Sequence, residues 1–174
     1  MYISRVRLEN IRGFSGPRNV DLTLTRPDGS HAGWTVLAGR NGSGKTSLLR
    51  AIALTVGGPA ITGRLAPDFH ALMTVDAPAS TAELLLKAGD GDYQPGDGPR
   101  YKDLAVRLTW AVDRDRESSR PGSQPTMTAD SFIPSTAEAL PVHTAMTPWQ
   151  ADPIGWFCAA YGAFRRLFGG STEA

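Results

Sequence analysis

One stretch constrains the fold of this chain more than any other. Residues 39–46 have the sequence Gly-Arg-Asn-Gly-Ser-Gly-Lys-Thr, which matches the pattern G-x-x-x-x-G-K-T. They follow an apolar segment at 34–38, which we expect to be a buried strand, and precede a periodic segment at 46–56, which predicts a helix. Three glycines let backbone N–H groups approach a phosphate closely, and the helix N-terminus adds unpaired N–H groups. The stretch therefore predicts a strand, a phosphate-binding loop (P-loop) and a helix in succession.

The side chains of this loop predict how a nucleotide and its metal ion would be held. Lys45 would reach the β- and γ-phosphates, and the Thr46 hydroxyl would ligate Mg²⁺. The alternative is a chance glycine turn, but the flanking elements favour nucleotide binding. Lys45 is also the candidate catalytic group, and Thr46 is the candidate metal ligand. The candidate cofactor-binding residues of the loop are Gly39, Arg40, Asn41, Gly42, Ser43, Gly44, Lys45, Thr46 and Ser47.

Composition narrows the class of protein. The 174 residues are 41% hydrophobic, which is enough for one domain with a core. The single Cys158 excludes an internal disulfide, and the three histidines lie too far apart in sequence to predict a zinc site. A charged N-terminus and the lack of a long apolar run predict a cytoplasmic protein without a membrane span. We interpret the basic excess of the first fifty residues as a lobe around a triphosphate rather than a DNA-binding face.

Alternating apolar residues predict four further strands around the loop. Residues 2–8 and 20–25 should form an antiparallel pair ahead of it. After the loop, Gly57-Gly58-Pro59 should end the helix, and strands should follow at 81–87 and 104–112. One face of the last strand carries Leu104, Val106, Leu108 and Trp110.

Three later segments carry weaker signals. The run of Gly, Asp and Pro at 89–99 is interpreted as solvated turns rather than a calcium site. Residues 113–148, with mixed charges and many Ser, Pro and Thr, are interpreted as a surface insertion or a partly disordered linker. An apolar run at 154–161 predicts one more buried strand.

These residues resemble a known family. Ile11-Arg-Gly-Phe14, together with the run from Val36 through the loop to Ile52, is similar to the N-terminal lobe of ABC-type ATPases of the SMC and RecF class. In that class the loop usually has the pattern G-x-N-G-[SA]-G-K-[ST], which Asn41 and Ser43 match. Ala160-Tyr-Gly-Ala-Phe-Arg-Arg-Leu167 adds a closer resemblance to bacterial "AAA family" ATP-binding proteins of the same class.

The resemblance implies a fold, ligands and a mode of assembly. The fold class is α/β: a P-loop NTPase lobe with antiparallel strands before and after the strand–loop–helix unit and an incomplete core sheet. Residues 1–174 would be the N-terminal ATP-binding lobe of an ATPase head. The ligands would be ATP and Mg²⁺, and the partner a second lobe, or a second copy bound through the nucleotide face. Family members commonly serve DNA repair, chromosome maintenance or phage defence, and DNA stays open as a partner.

Two motifs of the family are missing from this sequence. The Asp-Glu pair that would hold Mg²⁺ and orient water has no match, and Asp76 and Asp113 are interpreted as turn or strand-end residues. The signature Leu-Ser-Gly-Gly is also missing, since Phe168 replaces the serine in Leu167-Phe-Gly-Gly170. We therefore expect an incomplete lobe, either a fragment or half of a split protein, that hydrolyses ATP poorly alone and is marginally stable or obligately associated.

The resemblance also adds candidate residues outside the loop. Arg12, within Arg12-Gly-Phe14, matches a turn that lies near the base and ribose, with a plain surface turn as the alternative. Arg165 or Arg166 could face the phosphates, although an ordinary basic surface pair is favoured. Gln150 could sense Mg²⁺ and water. Two tryptophans are interpreted as packing residues rather than base-stacking ones: Trp149 and Trp156.

Two other functions stay open. A small P-loop nucleoside or nucleotide kinase would normally begin its loop within the first twenty or so residues and follow it with helices, which counts against that reading. A non-catalytic interaction module, whose association depends on bound ATP, would account for the missing Asp-Glu pair. Titration of ATP with and without phosphate acceptors would separate the kinase from the other two functions.

Overall fold

An antiparallel sheet is the centre of the computed structural model, which describes residues 1–31, 33–66, 68–89, 101–112, 125–134, 139–143 and 147–149. Within these ranges its strands are β1 (Tyr2–Glu9), β2 (Val20–Thr23), β3 (Ala79–Lys87), β4 (Asp103–Ala111), β5 (Thr126–Ile133) and β6 (Leu140–Pro141). Their order is β2-β1-β3-β4-β5-β6, and every neighbouring pair is antiparallel. Two short 3₁₀ helices, Gly16–Arg18 and His70–Leu72, lie in the connections.

A long helix, α1 (Lys45–Leu65), covers one face of the sheet and packs mainly on β3 and β4. Strand alternation directs the apolar side chains of the sheet toward this helix. The predicted apolar face of β4 is confirmed, because each of its four residues is at most 3% exposed. The core between helix and sheet includes Val6, Leu8, Leu48, Ala51, Leu54, Leu84, Leu104, Val106, Leu108 and Trp110.

The opposite face of the sheet carries a row of alternating charges. The register places Arg7 opposite Asp21 on one side and Glu83 on the other, and it continues from Glu83 through Arg107 to Asp130. Glu83 accepts hydrogen bonds from Arg7 Nη1 at 3.1 Å and from Arg107 Nε at 2.9 Å. Opposite charges in neighbouring positions favour this register over a slipped one.

The predicted buried strand at 34–38 is wrong in the structure. The segment pairs with no strand among the described residues. Trp34 is 89% exposed and Val36 is 84% exposed, while Leu37 on the other side packs against the core. A strand is defined by hydrogen bonds to a neighbour, so local sequence alone cannot form one.

The predicted end of the helix is confirmed as a break at Gly58. Gly58 has φ 69° and ψ −172°, which is outside the helical region. The span Lys45–Leu65 therefore consists of two helical segments that meet at this kink. The sequence predicted the break and missed the second helical segment that follows Pro59.

Strands β1 to β4 confirm the predicted strands within one or two residues at each end, and β1 and β2 form the predicted antiparallel pair. The interpretation of 113–148 as a surface insertion or a partly disordered linker stays a prediction, although β5 and β6 lie inside it and are ordered parts of the sheet. β5 pairs along β4 and also packs Met127 and Ala129 against the core. Cys158, the predicted strand at 154–161 and most of the loop at 89–99 lie outside the described residues.

Candidate nucleotide-binding site

The glycines of the loop are explained by its backbone. Gly42 has φ 81° and Gly44 has φ 90°, a left-handed region that strains any residue with a side chain. At Gly39, an added Cβ would lie 2.8 Å from Ser43 Oγ, because the loop turns back on itself there. The path of the loop thus requires glycine at 42 and 44, whereas a side chain at Gly39 would have to displace the Ser43 hydroxyl.

Lys45 lies across its own loop. Its Nζ donates to the carbonyl oxygens of Gly39 and Arg40, each at 2.8 Å, and to Ser43 Oγ at 3.4 Å. The ammonium group is therefore held within reach of the loop backbone by three neutral oxygens. A phosphate entering the loop would offer this charge a stronger, anionic acceptor.

The N-terminus of α1 is suited to binding an anion. Gly44 is its N-cap and supplies no side-chain hydrogen bond, and the first turn contains no acidic residue. The first N–H groups of a helix have no partner within the helix, and the dipole makes this end positive. Thr46 is exposed at the second position of the helix, and Ser47 follows it half-buried. The arrangement fits a phosphate-bearing ligand, with a hydroxyl available for the accompanying metal ion.

The ring of Phe14 packs against the P-loop at Gly44. An added Cβ on Gly44 would lie only 2.9 Å from Phe14 Cε1, so the ring packs directly on the glycine backbone. Two backbone hydrogen bonds fix the turn that carries Phe14: Ile11 N donates to Phe14 O at 3.0 Å, and Phe14 N to Ile11 O at 2.9 Å. Sequence reasoning named Phe14 only as a neighbour of Arg12, and the one signal for its role was an aromatic residue inside a short polar turn.

The structure ties Arg12 to a different segment. Its Nε donates to Ala71 O at 2.9 Å, its N–H donates to Leu72 O at 3.0 Å, and its carbonyl accepts from Thr74 Oγ1 at 2.7 Å. Arg12 is exposed and has φ 52°. The role of Arg12 beside the base and ribose stays a prediction.

Other predicted residues divide into those the structure describes and those beyond it. Asp76 lies exposed in a turn with φ 63°, in agreement with its interpretation as a turn residue. Trp149 packs against the core, as expected of a packing residue. The remaining candidates fall outside the described residues: Asp113, Gln150, Trp156, Arg165, Arg166 and Leu167-Phe-Gly-Gly170.

The described part of the chain contains neither a clustered metal-binding site nor a membrane-spanning helix. No group of three or more His, Cys, Asp or Glu residues there is arranged to hold a metal ion by itself. No helix in the same ranges combines the length and the apolar character needed to cross a membrane.

A glycine loop opening into a helix, with its lysine held across the loop, defines the P-loop class of nucleotide-binding proteins. Comparison with family models matches residues 5–137 to the AAA domain family AAA_23, and the chain belongs to this family. The predicted recognition, an SMC/RecF-like P-loop ATPase lobe, is thereby confirmed.

One curated protein shares a shorter stretch with this chain. The Septu protein PtuA of Bacillus mycoides (strain KBAB4) is 40% identical to it over 57 residues. That stretch is 33% of this chain and 8% of PtuA, so the comparison covers a small part of the relative's length.

Proposed function

We propose that this chain binds ATP with Mg²⁺ as the N-terminal lobe of an SMC/RecF-like ATPase head. The observation that carries the proposal is the loop itself, where Lys45 Nζ lies 2.8 Å from two loop carbonyls beside an uncapped helix N-terminus. Lys45 would contact the β- and γ-phosphates, and the helix N–H groups would bind phosphate oxygens. The Thr46 hydroxyl would ligate Mg²⁺, which neutralises charge on the phosphates when bound.

The exposed segment 34–38 supports the proposal that this chain works together with a partner. Trp34 and Val36 face solvent on a stretch that leads directly into the P-loop, and exposed apolar side chains on a segment that pairs with no described strand favour docking of a partner. The partner would be a second ATPase lobe, or a second copy of this chain joined through the nucleotide face. Its strands would cover Trp34 and Val36 and complete the core sheet.

The proposal includes weak hydrolysis by this chain alone. Hydrolysis needs carboxylates that hold Mg²⁺ and orient water, and Asp76 is exposed in a turn rather than placed at the end of a buried strand. ATP would then act mainly as a ligand that controls association until the partner supplies the missing groups. The setting would be DNA repair, chromosome maintenance or phage defence, with DNA open as a further partner.

Binding and turnover by the purified chain test this function. We expect Mg²⁺-dependent ATP binding in calorimetry, with slow or no phosphate release. Lys45→Ala should abolish binding, whereas Lys102→Ala, a change of the same type at an exposed residue of the sheet region, should leave binding unchanged. Equal binding by wild type and Lys45→Ala would refute the assignment of the site.

The same preparation tests the alternative functions. Addition of nucleosides and nucleotides as phosphate acceptors should not stimulate ADP formation, since stimulation would indicate the kinase. Sedimentation with and without ATP should show ATP-dependent association if the chain acts through a second copy. Steady Lys45-dependent hydrolysis by the chain alone would contradict the incomplete-lobe proposal.

A further inference from the structure

Helix α1 is sharply kinked where Gly58 precedes Pro59, and the helix continues beyond this point. Across the kink, the Thr62 hydroxyl donates to the carbonyl oxygen of Leu54 at 2.9 Å. In a straight helix, residues that far apart would be separated by about 12 Å along the axis. The two halves of α1 are therefore folded toward each other.

The proline at the kink leaves the carbonyl of Thr55 without its usual donor. In an α-helix the carbonyl of Thr55 accepts from the N–H four residues later, but that residue is Pro59, which has no N–H. The indole Nε1 of Trp149 takes this place and donates to the Thr55 oxygen at 2.8 Å. The bond reaches α1 from a point 94 residues further along the chain.

Gly58 makes room for the same indole. A Cβ added at Gly58 would lie 2.7 Å from Trp149 Nε1, closer than any relaxed contact. The Trp149 backbone N–H donates to Thr147 Oγ1 at 3.1 Å, and Thr147 is fully buried, which fixes the segment that presents the indole. The indole ring thus occupies the space that a side chain at Gly58 would need. Its Nε1–H is the donor that the Thr55 carbonyl lacks within the helix.

The two ends of the straight part of α1 are supported in the same way. Phe14 packs on Gly44 at the N-terminal end, and Trp149 packs on Gly58 at the kink. Both glycines have positive φ, at 90° and 69°, so neither could carry a side chain without strain. The helix that would present its N–H groups to the phosphates lies between two aromatic rings.

From this arrangement we infer that Trp149 is a positioning residue of the nucleotide site, which holds the kink of α1 and thereby the direction in which its N-terminus faces the P-loop. The indole contacts α1 about 20 Å along the axis from Lys45, so it acts through the helix and not on the nucleotide. The effect on affinity rests on the ATP binding proposed above. The contact between Trp149 and the kink of α1 does not itself depend on bound nucleotide.

A pair of matched substitutions tests the inference in the full chain. Trp149→Phe keeps an aromatic ring and removes the donor to Thr55. Trp110→Phe makes the same change at a fully buried tryptophan whose Nε1 has no hydrogen-bond partner within the described residues. The measurements are ATP affinity by calorimetry and hydrogen exchange of the α1 amides after Pro59.

We expect Trp149→Phe to weaken ATP binding about fivefold or more, the lower range of coupling between distant sites. It should also speed exchange of the amides at 60–65, while Trp110→Phe changes affinity less than about twofold and leaves that exchange unchanged.

The outcomes separate this inference from the proposed function. Equal losses of affinity in the two tryptophan variants would mean that only general stability had changed, and would overturn it. Wild-type exchange at 60–65 in Trp149→Phe would overturn it as well. If the wild-type chain bound no ATP, the proposed function would fail, and the exchange data alone would decide whether Trp149 holds the kink.

Discussion

Gly44→Ala is the sharpest test of how the P-loop is built, because Gly42→Ala provides a matched control in the same loop. Both glycines have left-handed backbones, with φ 90° and 81°. Each alanine should therefore cost about 1–2 kcal/mol from backbone strain. An added Cβ at Gly42 meets nothing within 4 Å, whereas at Gly44 it would lie 2.9 Å from Phe14 Cε1.

The clash with Phe14 should add about 1–3 kcal/mol to the cost of Gly44→Ala, the usual range for overpacking. Urea denaturation of the two variants measures this difference as a shift of the midpoint at constant slope. In the Phe14→Ala background, which removes the ring that the new methyl group meets, Gly44→Ala should cost less than it does in the wild-type chain. Equal losses for Gly42→Ala and Gly44→Ala, or an unchanged cost of Gly44→Ala in the Phe14→Ala background, would refute the packing of Phe14 against the loop.

Three further predictions concern the sheet and the exposed segment. Glu83→Ala removes the carboxylate shared by two arginines and should lower the free energy of unfolding by about 1–3 kcal/mol in urea denaturation, while Glu9→Ala, exposed on the same face, should cost less than about 0.5 kcal/mol. The hydrogen bond from Arg5 lowers the pKa of Asp21 below its ordinary value of 3.8, so the stabilisation by Asp21 should be present above that pH and lost as pH falls through the lowered pKa. An NMR titration midpoint at or above 3.8 would contradict this. Trp34→Ser should change the free energy of unfolding by less than about 0.5 kcal/mol and reduce self-association in sedimentation, since the side chain is 89% exposed.

The loop and the alternating strands could be predicted because their causes are local. The pattern G-x-N-G-[SA]-G-K-[ST] has glycine at positions 42 and 44, and the structure places Gly42 and Gly44 in the left-handed region. Strand alternation gave the buried face of β4, since side chains on a strand point alternately to opposite sides. Each of these predictions needed only residues within one element.

The contacts of Arg12 and Phe14 could not be predicted from the turn that contains these residues. Both were assigned to a turn near the ligand, yet the structure connects Arg12 to residues 71–74 and packs Phe14 on Gly44. Neither contact has a signal in the turn itself, because each depends on a segment far along the chain. The family match over 5–137 supports the class of protein and leaves such contacts open.

By itself, the sequence determined the P-loop, the helix that follows it and the faces of the central strands, since backbone sterics and side-chain periodicity act over a few residues. Only the tertiary structure decided that a second helical segment follows the break at Gly58-Pro59, and that Trp149 donates to the Thr55 carbonyl that proline leaves open. It also decided that the Thr-rich β5 is a strand, through pairing with β4, and that the segment 34–38 is not one, because no described neighbour pairs with it. Hydrogen bonds between distant segments settle these points, and their partners are brought together only by the fold.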